Sequence, residues 1–144
     1  VYLGGTGSAN KLEDYEEGEH TLTINQGGIS IVSNYADAFY TKVGRLVTIH
    51  GLLLANSSGD SNVLKINMPF VSKSRTGSQT DYYVGSVMSY NVPTGTGGLI
   101  PYIPQGSDKL VFQKTVNNGV WASLLGTDIN SGDHLYFSIS YQTN

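Results

Sequence analysis

Leu135-Tyr136-Phe137-Ser138-Ile139-Ser140-Tyr141 carries the clearest structural signal in the chain. Leu135, Phe137, Ile139 and Tyr141 recur at every second position, with Tyr136, Ser138 and Ser140 between them. Strand side chains point alternately to opposite faces, so this pattern predicts a strand with one buried and one open face. The same period recurs upstream. In Arg45 to Leu54, Val47 and Ile49 fall on one face and Thr48 and His50 on the other. Gly51 within that run predicts a bulge or a close backbone approach. Tyr82 to Tyr90 alternates as one further strand.

Shorter strand candidates fill the rest: His20 to Ile24, Ile29 to Val32, Phe39 to Val43, Val63 to Ile66, Leu99 to Ile103, Leu110 to Phe112 and Val120 to Leu125. Gly27-Gly28, Gly44, Asn56 to Asp60, Pro69, Ser72 to Thr80 and Asn91 to Gly98 punctuate them. Asn117-Asn118-Gly119 is a hairpin signal, because Asn-Gly suits the positive φ angles of a tight turn. A helical turn is compatible only with Leu12 to Glu19 and Leu52 to Asn56. Many short strands without a fixed repeat predict an all-β fold, an antiparallel β-sandwich of jelly-roll type. The Gly-rich opening segment, Val1 to Asn10, is expected to form an extended N-terminal arm. The expected organisation is an arm with an acidic junction over residues 1–20 and a sandwich head over residues 21–144.

Composition narrows the function. The chain has 144 residues, 18 of them glycine and 10 tyrosine, with one tryptophan and no cysteine. The absence of cysteine excludes a disulfide scaffold, a thiolate zinc site and a cysteine nucleophile. A net charge of −3 argues against a nucleic-acid partner. No apolar run approaches the ~18 residues of a membrane-spanning helix, so no membrane insertion is expected. The chain begins at Val1 without a signal-peptide pattern, which predicts a longer or processed product. The acidity is local, since residues 1–20 sum to −4 and the remainder to +1.

Catalytic signatures are absent from the sequence. His20, His50 and His134 have no recognised ligand spacing, and neither HExxH nor GxSxG occurs. Most carboxylates crowd into Glu13 to Glu19 rather than forming a pair placed across a sugar. The glycine runs at 4–8 and 95–98 lack a Walker pattern, and Pro101 to Pro104 matches PxxP inside a strand candidate. No cofactor, metal or catalytic residue is expected. The aromatic inventory points to binding instead, because tyrosine and tryptophan offer an apolar ring with a polar tip. Tyr82, Tyr102 and Trp121 are the expected ligand-binding residues, from a wider set that includes Tyr83, Tyr90, Tyr136 and Tyr141.

Leu12-Glu13-Asp14-Tyr15-Glu16-Glu17-Gly18 is the most specific motif. It resembles the LDDYEEG motif in C-terminal regions of bacteriophage tail-fibre and related structural proteins. Tyr40 to Gly51 is similar to the YTKIGRLVxVxG of that group, and Met68-Pro69-Phe70 to its LPF. The resemblance covers roughly residues 1–70. It departs at Glu19-His20-Thr21-Leu22, where the group has TWTP. It implies a homotrimeric tip on a virion fibre or spike, assembled in the host cytoplasm and joined to an upstream shaft or other virion proteins. It also implies attachment to a host-surface glycan or receptor, or a purely structural role in trimerisation or decoration of the capsid or tail. A polysaccharide-degrading enzyme ranks below both. For the motif itself, three roles are open. It is a junction with Tyr15 packed, a divalent-cation site using Glu13, Asp14, Glu16 or Glu17, or a pairing surface for Lys42 or Arg45 of a neighbouring subunit.

Overall fold

A computed structural model describes residues 14–92, 97–116 and 118–144. The opening arm, Leu12, Glu13 and the first Asn of the expected hairpin turn lie outside the described residues. Two antiparallel sheets pack face to face as a β-sandwich. One sheet contains β1 (Tyr15–Thr21), β3 (Ile31–Val43), β4 (Leu46–Ala55), β11 (His134–Gln142) and β7 (Ser86–Tyr90), in that spatial order. The other contains β2 (Ile24–Gln26), β5 (Lys65–Asn67), β9 (Lys109–Lys114), β8 (Leu99–Pro104) and β6 (Tyr82–Val84), with β10 (Ala122–Ser123) paired to β9.

Alternation places the core between the sheets. Leu135, Phe137, Ile139 and Tyr141 of β11 and Val47, Ile49 and Leu53 of β4 are all buried. Leu110 and Phe112 of β9 and Ile103 of β8 face them from the second sheet. Each such side chain, fully buried, contributes about 1.5–3 kcal/mol from removed apolar surface. Gly51 makes the expected close approach. A β-carbon there would fall against the Phe137 ring and 3.1 Å from Ala38 Cβ.

Three elements differ from the sequence expectation. Tyr82 to Tyr90 is not one strand. Its first half pairs with β8 and its second half with β11, so the chain passes between sheets at Gly85. Gly85 sits tightly against the β11 backbone at Ser138 and Ile139, a spacing that excludes a side chain. Leu52 to Ala55 is strand rather than a helical turn, because β3 and β11 hydrogen-bond it from both sides. Tyr15 to Glu19 is strand as well, drawn out by its seven-residue pairing with β3. β1 runs across positions 20 and 21, where the sequence placed a boundary, and Tyr15 to His20 belong to the five-stranded sheet.

Candidate functional site

β6, β8 and β9 lie side by side, and their register sets the outer face of the six-stranded sheet. Pro101 and Ile103 point inward and are buried, so Ile100 and Tyr102 point outward. Val84 lies opposite Tyr102, and Gln113 opposite Ile100. Trp121 arrives on the segment that leads into β10. The result is a pocket of about 170 Å³ lined by Tyr82, Val84, Ile100, Tyr102, Gln113 and Trp121. All three expected ligand-binding residues therefore line one depression, although they are up to 39 positions apart in the chain.

The pocket has aromatic walls and one amide, that of Gln113. Tyr82 and Tyr102 meet edge to face with centroids 5.1 Å apart, a favourable arrangement for the ring quadrupoles. Burial pushes the Tyr102 hydroxyl above its ordinary pKa, with the Gln113 bond acting in the opposite direction. Gln113 Nε2 donates to that hydroxyl at 3.1 Å. Gln113 Oε1 is shut away from solvent and has no hydrogen-bond partner. Trp121 is 66% exposed, so its indole is open to a ligand. Among the described residues, no charged side chain lines the pocket. The sequence did not single out Gln113, Val84 or Ile100, because only the strand register brings them beside the aromatics.

The other aromatics divide between two places. Tyr141 is buried and donates to Phe70 O at 3.2 Å, so it is no stacking platform. Burial holds its hydroxyl far above the usual tyrosine range. Tyr83 is half-buried and donates to Lys73 O at 3.1 Å. Tyr90 and Tyr136 lie on the outer face of the five-stranded sheet, around His134. His134 stacks on Tyr136 with centroids 6.0 Å apart and meets Tyr90 edge-on at 5.6 Å. The same face carries Phe39, 58% exposed, and Met88, 65% exposed, with His50 and Leu52 between them. Its ionisable residues on β1 and β3, Glu17, Glu19 and Asp37, stand toward one side.

The acidic motif forms a third cluster. Alternation along β1 sends Glu16 and Glu17 to opposite faces. Tyr40 donates to Glu16 Oε1 at 2.6 Å, and Tyr15 donates to Glu17 Oε2 at 2.6 Å. Each carboxylate raises the pKa of its tyrosine, chiefly through that hydrogen bond. Lys42 pairs with Asp14 of the same chain at 2.6 Å. The Tyr40 ring crosses β1 at Gly18, where a β-carbon would lie 2.9 Å from its hydroxyl, and packs edge-on against Phe70 at 5.2 Å. The three stretches that carry the family resemblance thus meet in space. Tyr40 is the packed ring, while Tyr15 is 52% exposed. Among the described residues no group of three His, Asp or Glu could hold a metal ion, so the cation reading of Asp14, Glu16 and Glu17 finds no assembled site.

A larger cavity of about 560 Å³ opens at Lys73, Arg75, Asp81, Tyr83 and Gln142. Its guanidinium is taken up by Asp81, with Nε 2.6 Å from Oδ2. Pro101 is buried within β8, which leaves the PxxP stretch in a sheet rather than in an open polyproline helix. His20, His50 and His134 do not converge. His20 bonds Asn67 O at 2.9 Å and ties β1 to the opposite sheet.

Compared with known proteins, the chain matches no family model, no curated protein and no solved structure.

Proposed function

We propose that this chain is the non-enzymatic head domain of a bacteriophage fibre or spike, a homotrimer on the virion surface that attaches to a host-surface glycan or receptor. The family resemblance of its motifs supplies the setting. One observation supports attachment above the others: Tyr82, Tyr102 and Trp121 converge on a single open pocket. Aromatic faces stack on the apolar C–H faces of sugar rings, and such pockets bind through a few large rings and few polar groups. Truncating an aromatic anchor at the centre of a binding site commonly costs 2 kcal/mol or more, about thirtyfold. Labelled protein is expected to bind host cells, and Trp121→Ala and Tyr82→Ala are expected to lose most of that binding with the fold intact by circular dichroism. Absence of binding to any host cell or glycan, or full binding by both variants, would overturn the attachment reading.

A second reading, a purely structural trimerisation or decoration domain, draws on the five-stranded face. Phe39, Met88 and Tyr90 stand more than half exposed there, and obligate subunit interfaces are apolar and poor in charge. The two readings share the trimer and differ in the pocket. Tight trimers with no affinity for cells or glycans would favour the structural role.

A further inference from the structure

Among the described residues, the pocket contains one solvent-excluded polar group whose hydrogen-bonding capacity is unspent. Gln113 uses Nε2 on the Tyr102 hydroxyl, and Oε1 faces no donor. Turning the terminal amide over would place Oε1 against that hydroxyl and leave the NH2 in the unpartnered position. In either orientation one end of the amide lacks a partner. A buried polar group left in that state is costly, so it marks a place for a ligand group. The rest of the lining is aromatic or aliphatic and carries no charge. The adjacent basic residue on β9, Lys114, is already paired with Asp128 at 2.7 Å.

We infer that Gln113 is the specificity-determining residue of the pocket, which takes one ring of a neutral sugar and hydrogen-bonds one of its hydroxyls through the free end of the Gln113 amide. This rests on the attachment reading above. A hydroxyl both donates and accepts, so it satisfies the amide in either orientation. A carboxylate or sulfate only accepts, and it would be desolvated against uncharged rings with no cation to meet it. The volume of about 170 Å³ is below the roughly 300–1,000 Å³ typical of pockets for larger ligands, which restricts the occupant to a single ring. Oε1 is closed to solvent, so the proposal requires a lining side chain to shift as the hydroxyl enters, and Trp121, 66% exposed, is the lining residue with the most surface in water.

The test uses the whole chain and saturation-transfer NMR titrations. The probes are the methyl glycosides of glucose, galactose and mannose, with glucuronic acid as the anionic comparison. At least one neutral glycoside is expected to bind in preference to glucuronic acid. Gln113→Met keeps the length of the side chain and removes the amide. It should weaken neutral-sugar binding about three- to tenfold, the worth of one net hydrogen bond, without lowering the melting temperature. Gln113→Leu also removes the amide at similar size and should weaken binding by the same factor, and this comparison stands even where the Met variant fails to fold. Trp121→Ala should abolish binding. Wild-type affinity in Gln113→Met alongside loss in Trp121→Ala would overturn the role of the amide and leave the attachment site standing. Wild-type affinity in Gln113→Leu, or preference for glucuronic acid, would also overturn it. No transfer to any probe would overturn the neutral-sugar assignment, whereas failure of the attachment reading shows separately as absence of cell binding.

Discussion

A methyl group added at position 51 would enter occupied space. Phe137 Cε1 lies 2.7 Å from where the β-carbon would be, and Ala38 Cβ 3.1 Å. Both neighbours are buried on the inner face, so neither can swing into water. Overpacking of this kind costs about 1–3 kcal/mol. Gly51→Ala is expected to lower the urea midpoint accordingly. Adding Phe137→Leu should cost less than the sum of the two single changes, because the smaller side chain vacates the contested volume. Tyr141 provides a pH test at the same scale. Burial raises its folded-state pKa above the ordinary value of 10.0. Its contribution is therefore fully present below about pH 10 and declines as pH rises from there toward the folded-state value. Tyr141→Phe is expected to reduce stability by about 1 kcal/mol at pH 7, through the lost bond to Phe70 O. It should also flatten the alkaline decline, which denaturant titrations from pH 8 to 11 would reveal. The sequence disclosed that position 51 needs a glycine. It did not disclose the partner, because Phe137 is 86 positions away and only pairing between β4 and β11 places it opposite.

At the scale of elements, strands with one buried face were readable and short strands near a change of sheet were not. β11 alternates over its whole length and β4 from Val47 to His50, and both are visible from period alone. Tyr82 to Tyr90 alternates equally well, yet it serves two sheets, since the period continues unbroken through Gly85 while the pairing partner changes. Leu52 to Ala55 misled because consecutive leucines carry no period. β1 misled because five acids in seven residues, 13 to 19, resemble a helix start until β3 is placed beside them. The hold of β1 on the sheet can be apportioned. The Asp14–Lys42 pair has its carboxylate largely in water, side chain 64% exposed, and such pairs contribute about 0–1 kcal/mol. Tyr40 crosses β1 and contacts Phe70, so its loss removes packing at a sheet edge. Tyr40→Ala is expected to cost about 3 kcal/mol, the lower end for a large aromatic, and to speed hydrogen exchange of the β1 amides. Lys42→Ala should leave that exchange almost unchanged.

For the molecule as a whole, the sequence predicted the sandwich and named three rings of its pocket, but assigned no strand to a sheet. Sheet assignment depends on contacts between distant segments, and those leave no local trace. The two outer faces differ in character. One carries a compact aromatic pocket, and the other a broad apolar area around His50, Leu52 and Met88. The proposed trimer would use the second and leave the first free. Met88→Glu puts a charge into that area without touching the core. It is expected to reduce the mass in solution from about three times 15.5 kDa to 15.5 kDa by light scattering, with Trp121-dependent binding weakened only through lost multivalency. A wild-type mass of 15.5 kDa would count against the trimer.

The two end strands of the five-stranded sheet are not equivalent. β1 carries Glu16, Glu17 and Glu19 in seven residues, whereas β7, Ser-Val-Met-Ser-Tyr, carries no charge at all. An open strand end is a template for a foreign strand, and carboxylates that would have to shed water make a poor one. Unwanted growth therefore has a polarity. A second β1 is repelled at β1, and β7 joined to β1 must strip the same acids. Between two copies of this sheet, what remains is β7 against β7, a contact that uses the same surface on both molecules and closes on itself. Copies that go astray through this sheet should stop at pairs, and on the proposed virion surface, where many copies would stand side by side, this sheet would not seed fibrils.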